Sequence, residues 1–260
     1  MTDLIPAATI LLLRDTPAFE VLMIERHENI SFAGGALVFP GGKIDEADHH
    51  PAWAAHCDGM SDIEPAQQAP RIASIREAFE ETGVLLARDR NGAMLDDDRA
   101  HSLGGWRGMA EQDSAKFLKL VQRENLRLAC DLLVLFARWR PPKAAQHRRY
   151  DTWFFAARAP EGQQAHEDGN EATEVLWTTP GAAMEARERG ARKIIFPTAR
   201  NVELLGLSKC AREVFDFAAR RAITPISPEI KERGGKHYVT IPDHHDYPLT
   251  EESLEKAFRQ

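Results

Sequence analysis

Arg76-Glu77-Ala78-Phe79-Glu80-Glu81-Thr82-Gly83-Val84 places three carboxylates at positions i, i+3 and i+4. On an α-helix those positions share one face, so Glu77, Glu80 and Glu81 converge on a small volume. Like charges that close repel, and a solvated helix gains nothing from stacking them. A divalent cation turns the repulsion into binding. Carboxylate oxygens are hard ligands and suit Mg²⁺ or Mn²⁺, with waters and substrate phosphates completing the shell. Gly83 follows at the point where a helix ends on a left-handed residue. The stretch predicts a helix over residues 74–82, begun near Arg71, with an acidic face that binds metal.

Working outward, Phe39-Pro40-Gly41-Gly42-Lys43-Ile44-Asp45 upstream reads as a sharp turn after a short strand at residues 34–39. Residues 7–13 and 20–26 alternate or run apolar and read as two further strands. Downstream, strands are expected at 132–139 and 151–157 around the Pro141-Pro142 loop, and at 174–178. Helical spacing marks 111–123, 180–189 closed by Gly190, 197–205 with Pro near its start, and 214–222. Residues 51–57 read as one short helix anchored by Trp53. Residues 61–70, with Pro65 and Pro70, read as loop, as do 89–98 with their Asp96-Asp97-Asp98 run. The tail from Thr224, rich in Pro and His, is expected on the surface. No βαβ unit repeats, so the class is α/β without a doubly wound sheet.

A chain of 260 residues can bury a substantial core. A net charge of −7 does not invite nucleic acid or an anionic membrane surface. No apolar run approaches the ~18 residues of a membrane span. Met1 to Leu13 lacks a basic leader region, and Phe258-Arg259-Gln260 is not a peroxisomal tripeptide. Cys57, Cys130 and Cys210 are an odd, sparse set that argues against a disulfide framework or zinc site, and for a reducing cytoplasm. His49, His50, His244 and His245 have no spaced partners that would define a zinc site.

The two quoted segments together resemble the signature of the Nudix hydrolases: a Gly, an acidic residue six positions on, then Arg-Glu-hydrophobic-x-Glu-Glu-x-Gly-hydrophobic. Gly42 and Asp48 fill the first part, with Asp in place of the usual Glu, and Arg76 to Val84 fill the rest. The family leaves about seven residues between the acidic position and the Arg. Here 27 intervene, residues 49 to 75. Such an insertion resembles one subgroup, the peroxisomal-type acyl-CoA diphosphatases and their bacterial relatives. The resemblance implies a Nudix-type mixed sheet sandwiched between helices, as one domain over residues 1–222. A helical insertion at about 49–70 would project as an appendage that covers the site or contacts a second subunit, and residues 223–260 would form a C-terminal extension.

The resemblance also implies site residues. Glu77, Glu80, Glu81 and the Gly41 carbonyl would hold Mg²⁺ or Mn²⁺, and Arg76 would orient a signature glutamate. Glu171, six residues before Trp177, would be the additional loop acid, with Glu167, Asp168 and Glu174 as neighbours in the running. Asp48 is open between a helix cap and a metal-facing role. CoA-cleaving members carry an upstream Arg and Gly at the spacing of Arg26 and Gly35 from Phe39-Pro40-Gly41-Gly42. Their second Arg is Ser31 here, so Arg148 or Arg149 would have to supply that phosphate contact. The expected reaction is hydrolysis of the pyrophosphate of CoA or acyl-CoA to 3′,5′-ADP and (acyl-)4′-phosphopantetheine. The expected partner is a small nucleoside diphosphate derivative, with no nucleic acid or membrane, and a homodimer is compatible. The alternatives are an ADP-ribose or nucleotide-sugar pyrophosphatase, a Nudix-fold regulator that binds a nucleotide without cleaving it, and a scaffold whose acidic helix is only surface.

Overall fold

A computed structural model describes residues 4–29, 33–142, 149–243 and 246–257. Strands β1 (Ile5–Arg14), β2 (Glu20–Arg26), β3 (Leu37–Val38) and β4 (Gly41–Lys43) come first, followed by helix α1 (Pro65–Thr82) and the short strand β5 (Ala87–Arg88). Helices α2 (Asp97–Ser102), α3 (Arg107–Gln112) and α4 (Ala115–Arg123) lead to β6 (Arg127–Leu128), β7 (Val134–Trp139), β8 (Tyr150–Arg158) and β9 (Ala172–Thr178). Helices α5 (Pro180–Glu188), α6 (Phe196–Leu205) and α7 (Ala211–Ala219) precede β10 (Glu229–Arg233), β11 (Lys236–Thr240), β12 (Glu251–Ser253) and α8 (Leu254–Ala257).

The main sheet runs β3-β2-β1-β8-β7, with β4 paired to β1 and β9 to β2. It is mixed, because β1 pairs parallel with β8 and antiparallel with β2 and β4. Alternation along β1 divides the core. Ile10 and Leu12 join Ile72, Ile75 and Phe79 of α1 on one face. Leu11 and Leu13 join Ala183, Val202 and Val214 of α5, α6 and α7 on the other. The sheet is therefore sandwiched between helices, as the α/β reading requires. β4 pairs only with the first half of β1, at Ala7↔Lys43 and Thr9↔Gly41, and this sets the Gly-Gly turn beside the last turn of α1.

Four expectations change. Residues 61–70 are not loop: α1 begins at Pro65, where the missing N–H of proline costs nothing. Pro70 then lies inside the helix, and burial of Ala69, Ile72 and Ala73 offsets its lost hydrogen bond. Residues 49–70 do not project as an appendage. Residues 46–62 form three 3₁₀ turns, Glu46–His49, Pro51–Ala55 and Met60–Asp62, where one helix was expected. Trp53 and Cys57 are buried in the same cluster as α1, with the Trp53 ring 5.8 Å from Phe117. The helix expected at 111–123 is α3 and α4, broken at Asp113, whose extended backbone lets its carboxylate accept from Ala115 N.

The tail from Thr224 is built into the fold. β10, β11 and β12 form a small antiparallel sheet, and Val239, Ile241, Tyr247 and Ala257 are buried in the second core cluster. Ile226 exchanges backbone hydrogen bonds with Arg138 and Arg140 at the edge of β7. Trp139 Nε1 donates to the Tyr247 hydroxyl, which donates to Asn201 Oδ1 at 2.7 Å. Arg187 makes a bidentate pair with buried Glu252 at 2.8 and 2.6 Å. Polar composition had hidden a segment that sends Val239, Ile241, Tyr247 and Ala257 inward. Among the described residues no helix is long and apolar enough to cross a membrane.

Candidate functional site

The last two turns of α1 carry Arg76, Glu77, Glu80 and Glu81 against β4. Close approach explains both glycines of the turn. A Cβ on Gly41 would lie 2.5 Å from Ala8 O, and one on Gly42 would lie 2.5 Å from Glu77 Oε2. Gly41 N donates to Glu81 Oε2 at 2.8 Å, tying the turn to the helix. Gly83 closes α1 with a left-handed φ of 75° and donates to Phe79 O.

Arg76 is the hub. Its Nε and Nη2 donate to the two oxygens of Asp48, both at 3.0 Å. Its Nη1 donates to Glu77 at 2.8 Å and Glu80 at 2.9 Å, and Nη2 also reaches Lys43 O. Asp48, only 2% exposed, also accepts from Asp45 N in a capping box on the 3₁₀ turn. Of the two readings of Asp48 the structure shows the cap, and it adds an anchor for Arg76. The 27-residue separation does not part them, because the insertion folds back along α1.

One arginine faces too many carboxylates. Glu80 Oε1 and Glu81 Oε1 are buried without a hydrogen-bond partner. Burial pushes Glu77 up to about 7 and Glu80 to about 8, against the pull of Arg76. Burial and the neighbouring Glu77 raise Glu81 well above the usual carboxylate range. Orphaned anionic oxygens with raised proton affinity are what a hard cation would satisfy, so the donor set fits Mg²⁺ or Mn²⁺. The acids are nonetheless not drawn together as a closed cage. Among the described residues no group of three or more His, Cys, Asp or Glu side chains stands ready to hold an ion. Arg76 accounts for this, since its Nη1 lies between Glu77 and Glu80 and shares their charge.

These acids line one end of a cleft of about 1050 Å³. Glu171 lines it too, its side chain 45% exposed and 3.8 Å from Arg26 Nη2. The rival loop acids separate on geometry. Glu174 pairs with Arg192 at 2.7 Å, Glu167 does not line the cleft, and Asp168 lines it while its Oδ1 accepts backbone N–H groups of residues 170–172. Arg26 lines the cleft with an Nε that has no hydrogen-bond partner. Gly35 does not line it; with φ at 67° it donates its N–H to Arg26 O and so supports that arginine from behind. Arg148 lies outside the described residues. Arg149 is absent from the described lining, where Tyr150 stands instead. Glu111 of α3 was not anticipated. It lines the acidic end, and burial together with Asp168 and Glu171 raises its carboxyl. Nothing in the spacing of the signature points to that helix.

Residues 51–203, more than half of the chain, match the family model described as the NUDT19 Nudix domain. The chain belongs to the Nudix hydrolase family. Within it, the acyl-coenzyme A diphosphatase NUDT19 of Xenopus laevis is 26% identical over 250 residues, covering 80% of this chain and 65% of the relative. Its Gallus gallus counterpart is 31% identical over 215 residues, covering 64% and 56%. Putative nudix hydrolase 7 of Caenorhabditis elegans is 27% identical over 258 residues, covering 98% and 78%. The chain spans about three-fifths of the length of the acyl-CoA diphosphatases it matches. Among solved structures, a Nudix hydrolase from Alicyclobacillus acidocaldarius aligns with a TM-score of 0.67 at 26% identity, over 83% of this chain and 97% of the other. The matched Nudix region holds Arg76, Glu77, Glu80, Glu81 and Glu171. Gly41 and Arg26 lie before it, and the fold brings both to the same cleft.

Proposed function

We propose that this chain hydrolyses the pyrophosphate of CoA or an acyl-CoA, giving 3′,5′-ADP and (acyl-)4′-phosphopantetheine. Glu77, Glu80, Glu81 and the Gly41 carbonyl would hold Mg²⁺ or Mn²⁺. The observation that carries this reading is the excess of buried carboxylate over arginine at the end of a large cleft. The acyl-CoA diphosphatase activity for which the NUDT19 relatives are named supports the substrate class. When bound, the cation would neutralise pyrophosphate charge and lower the pKa of an attacking water.

The chain's own residues do the rest. Asp48 fixes Arg76, and Arg76 holds Glu77 and Glu80 in place through one nitrogen. Gly41 N fixes Glu81. Glu171 lines the same cleft, is paired only at 3.8 Å with Arg26, and can take the proton from the attacking water. Arg26 offers a guanidinium to a phosphate oxygen. Cytoplasmic residence is part of the proposal. It is supported by the odd, sparse set of cysteines in the sequence, Cys57, Cys130 and Cys210.

The test is the set of kcat/KM values for CoA, an acyl-CoA and ADP-ribose, with Arg26→Ala alongside. CoA species should be preferred, and Arg26→Ala should lower them about tenfold or more. Faster turnover of ADP-ribose, with Arg26→Ala neutral, would reject the substrate assignment.

A further inference from the structure

We propose that the far end of the cleft, walled by the C-terminal segment, seats the acyl chain of an acyl-CoA, so that this segment sets chain-length preference. The proposal rests on the diphosphatase reading above. Its geometry comes from the sheet. Lys43 of β4, Ala7 of β1, Thr152 of β8 and Trp139 of β7 are successive partners across four strands, and all four line the cleft. Three strand spacings of ~4.8 Å carry the row roughly 14 Å from the Gly-Gly turn to Trp139. In CoA, about thirteen bonds separate the reacting phosphorus from the sulfur. At ~1.2 Å of extended reach per bond that is roughly 16 Å. A substrate with its pyrophosphate at the carboxylates and its pantetheine arm along this row therefore delivers its sulfur beside Trp139. Acyl carbons must lie beyond it.

Beyond it the wall is apolar and belongs to the C-terminal segment. Pro228, Ile230, Val239 and Ala257 line the cleft there, facing Phe196 of α6. Ile230 is the telling residue. All five residues of β10 are exposed, four of them charged, and Ile230 is the one apolar side chain. It is 49% exposed, and of the five large exposed hydrophobic residues described it alone lines the cleft. Its register partner Val239 is buried. A half-exposed isoleucine contributes little to the free protein, and an alkyl chain laid against it would cover the remainder.

The experiment measures kcat/KM of the wild type and Ile230→Asp for CoA, butanoyl-CoA, octanoyl-CoA and lauroyl-CoA at fixed Mg²⁺. An exposed strand position keeps the fold, which a thermal melt checks. The lauroyl-CoA to CoA ratio should fall about tenfold in Ile230→Asp, equivalent to losing contact with about two methylenes at roughly fourfold each. It should fall less for octanoyl-CoA and least for butanoyl-CoA. An unchanged ratio, or an equal loss on CoA and every acyl-CoA, overturns the acyl seat while leaving the diphosphatase standing. A wild type that cleaves ADP-ribose and none of the CoA series overturns both.

Discussion

Two buried clusters of arginine and carboxylate sit on helices packed against opposite faces of the sheet. Around Arg76 on α1, one guanidinium faces Asp48, Glu77 and Glu80, with Glu81 beyond, where the charge of Arg26 also reaches it. Around Arg187 and Arg200 on α5 and α6, two guanidinium groups face Glu252 and Glu203. Both clusters leave oxygens without hydrogen bonds: Glu80 Oε1 and Glu81 Oε1 in the first, Glu203 Oε2 in the second. What separates them is net charge. The second is neutralised by the chain itself and fastens the C-terminal segment to the helices. The first is left negative, at a cost in stability that a cation would recover.

Removing a carboxylate charge from each of the two clusters should therefore give opposite results. Glu81→Gln should lower CoA turnover about a thousandfold at saturating Mg²⁺, because a charged ligand is lost where transition-state charge is neutralised. Glu80→Gln should follow it. Neither should lower the melting temperature in EDTA, since a repelling buried charge has been removed. Glu252→Ala should instead cost about 3–5 kcal/mol in urea unfolding, because it strands Arg187 in the interior. If both substitutions merely destabilise, the two clusters are alike and the contrast is gone.

The first cluster was legible in the sequence and the second was not. Glu77, Glu80 and Glu81 announce themselves because a local period of 3.6 residues places them on one face. Gly41 and Gly42 announce themselves as a sharp turn after Phe39-Pro40, and at Gly41 the backbone of Ala8 and Thr9 leaves no room for a side chain. Arg187 and Glu252 are 65 residues apart, and no local rule joins them. The same holds for Trp139, Tyr247 and Asn201, whose hydrogen-bonded chain draws the tail into the core. Pro65 and Pro70 misled in another way. Proline marks breaks on average, yet at the first turn it starts a helix, and buried neighbours carried α1 past the second. Glu111 reaches the cleft from a helix that has no sequence relation to the acidic signature.

A smaller effect sharpens the comparison within the acidic end. Glu171→Gln should lower kcat about a hundredfold, the usual loss for a proton acceptor. Glu174→Gln should cost little, because its partner Arg192 also holds Glu25. Steady-state kinetics on CoA distinguishes them, and the reverse order would place the loop acid three residues further on.

The smallest effect is a pH dependence of the metal-free protein. The folded state holds Glu77 at about 7 and Glu80 at about 8, both above the ordinary 4.5. The folded state thus binds more protons than the unfolded one between these values, so stability is present at low pH and lost as pH rises. In EDTA the melting temperature should fall by several degrees from pH 5 to pH 8, and saturating Mg²⁺ should flatten the slope. Glu81→Gln should weaken it. A slope of the same size in Mg²⁺ would assign it to groups elsewhere.

The most direct measurement is cleavage of CoA by EDTA-dialysed protein titrated with Mg²⁺ or Mn²⁺, with products separated by chromatography. The carboxylate excess around Arg76 predicts no turnover without added cation, and 3′,5′-ADP with 4′-phosphopantetheine appearing as the cation saturates. CoA cleavage at a rate indifferent to added cation, or intact CoA at every cation concentration, would contradict it.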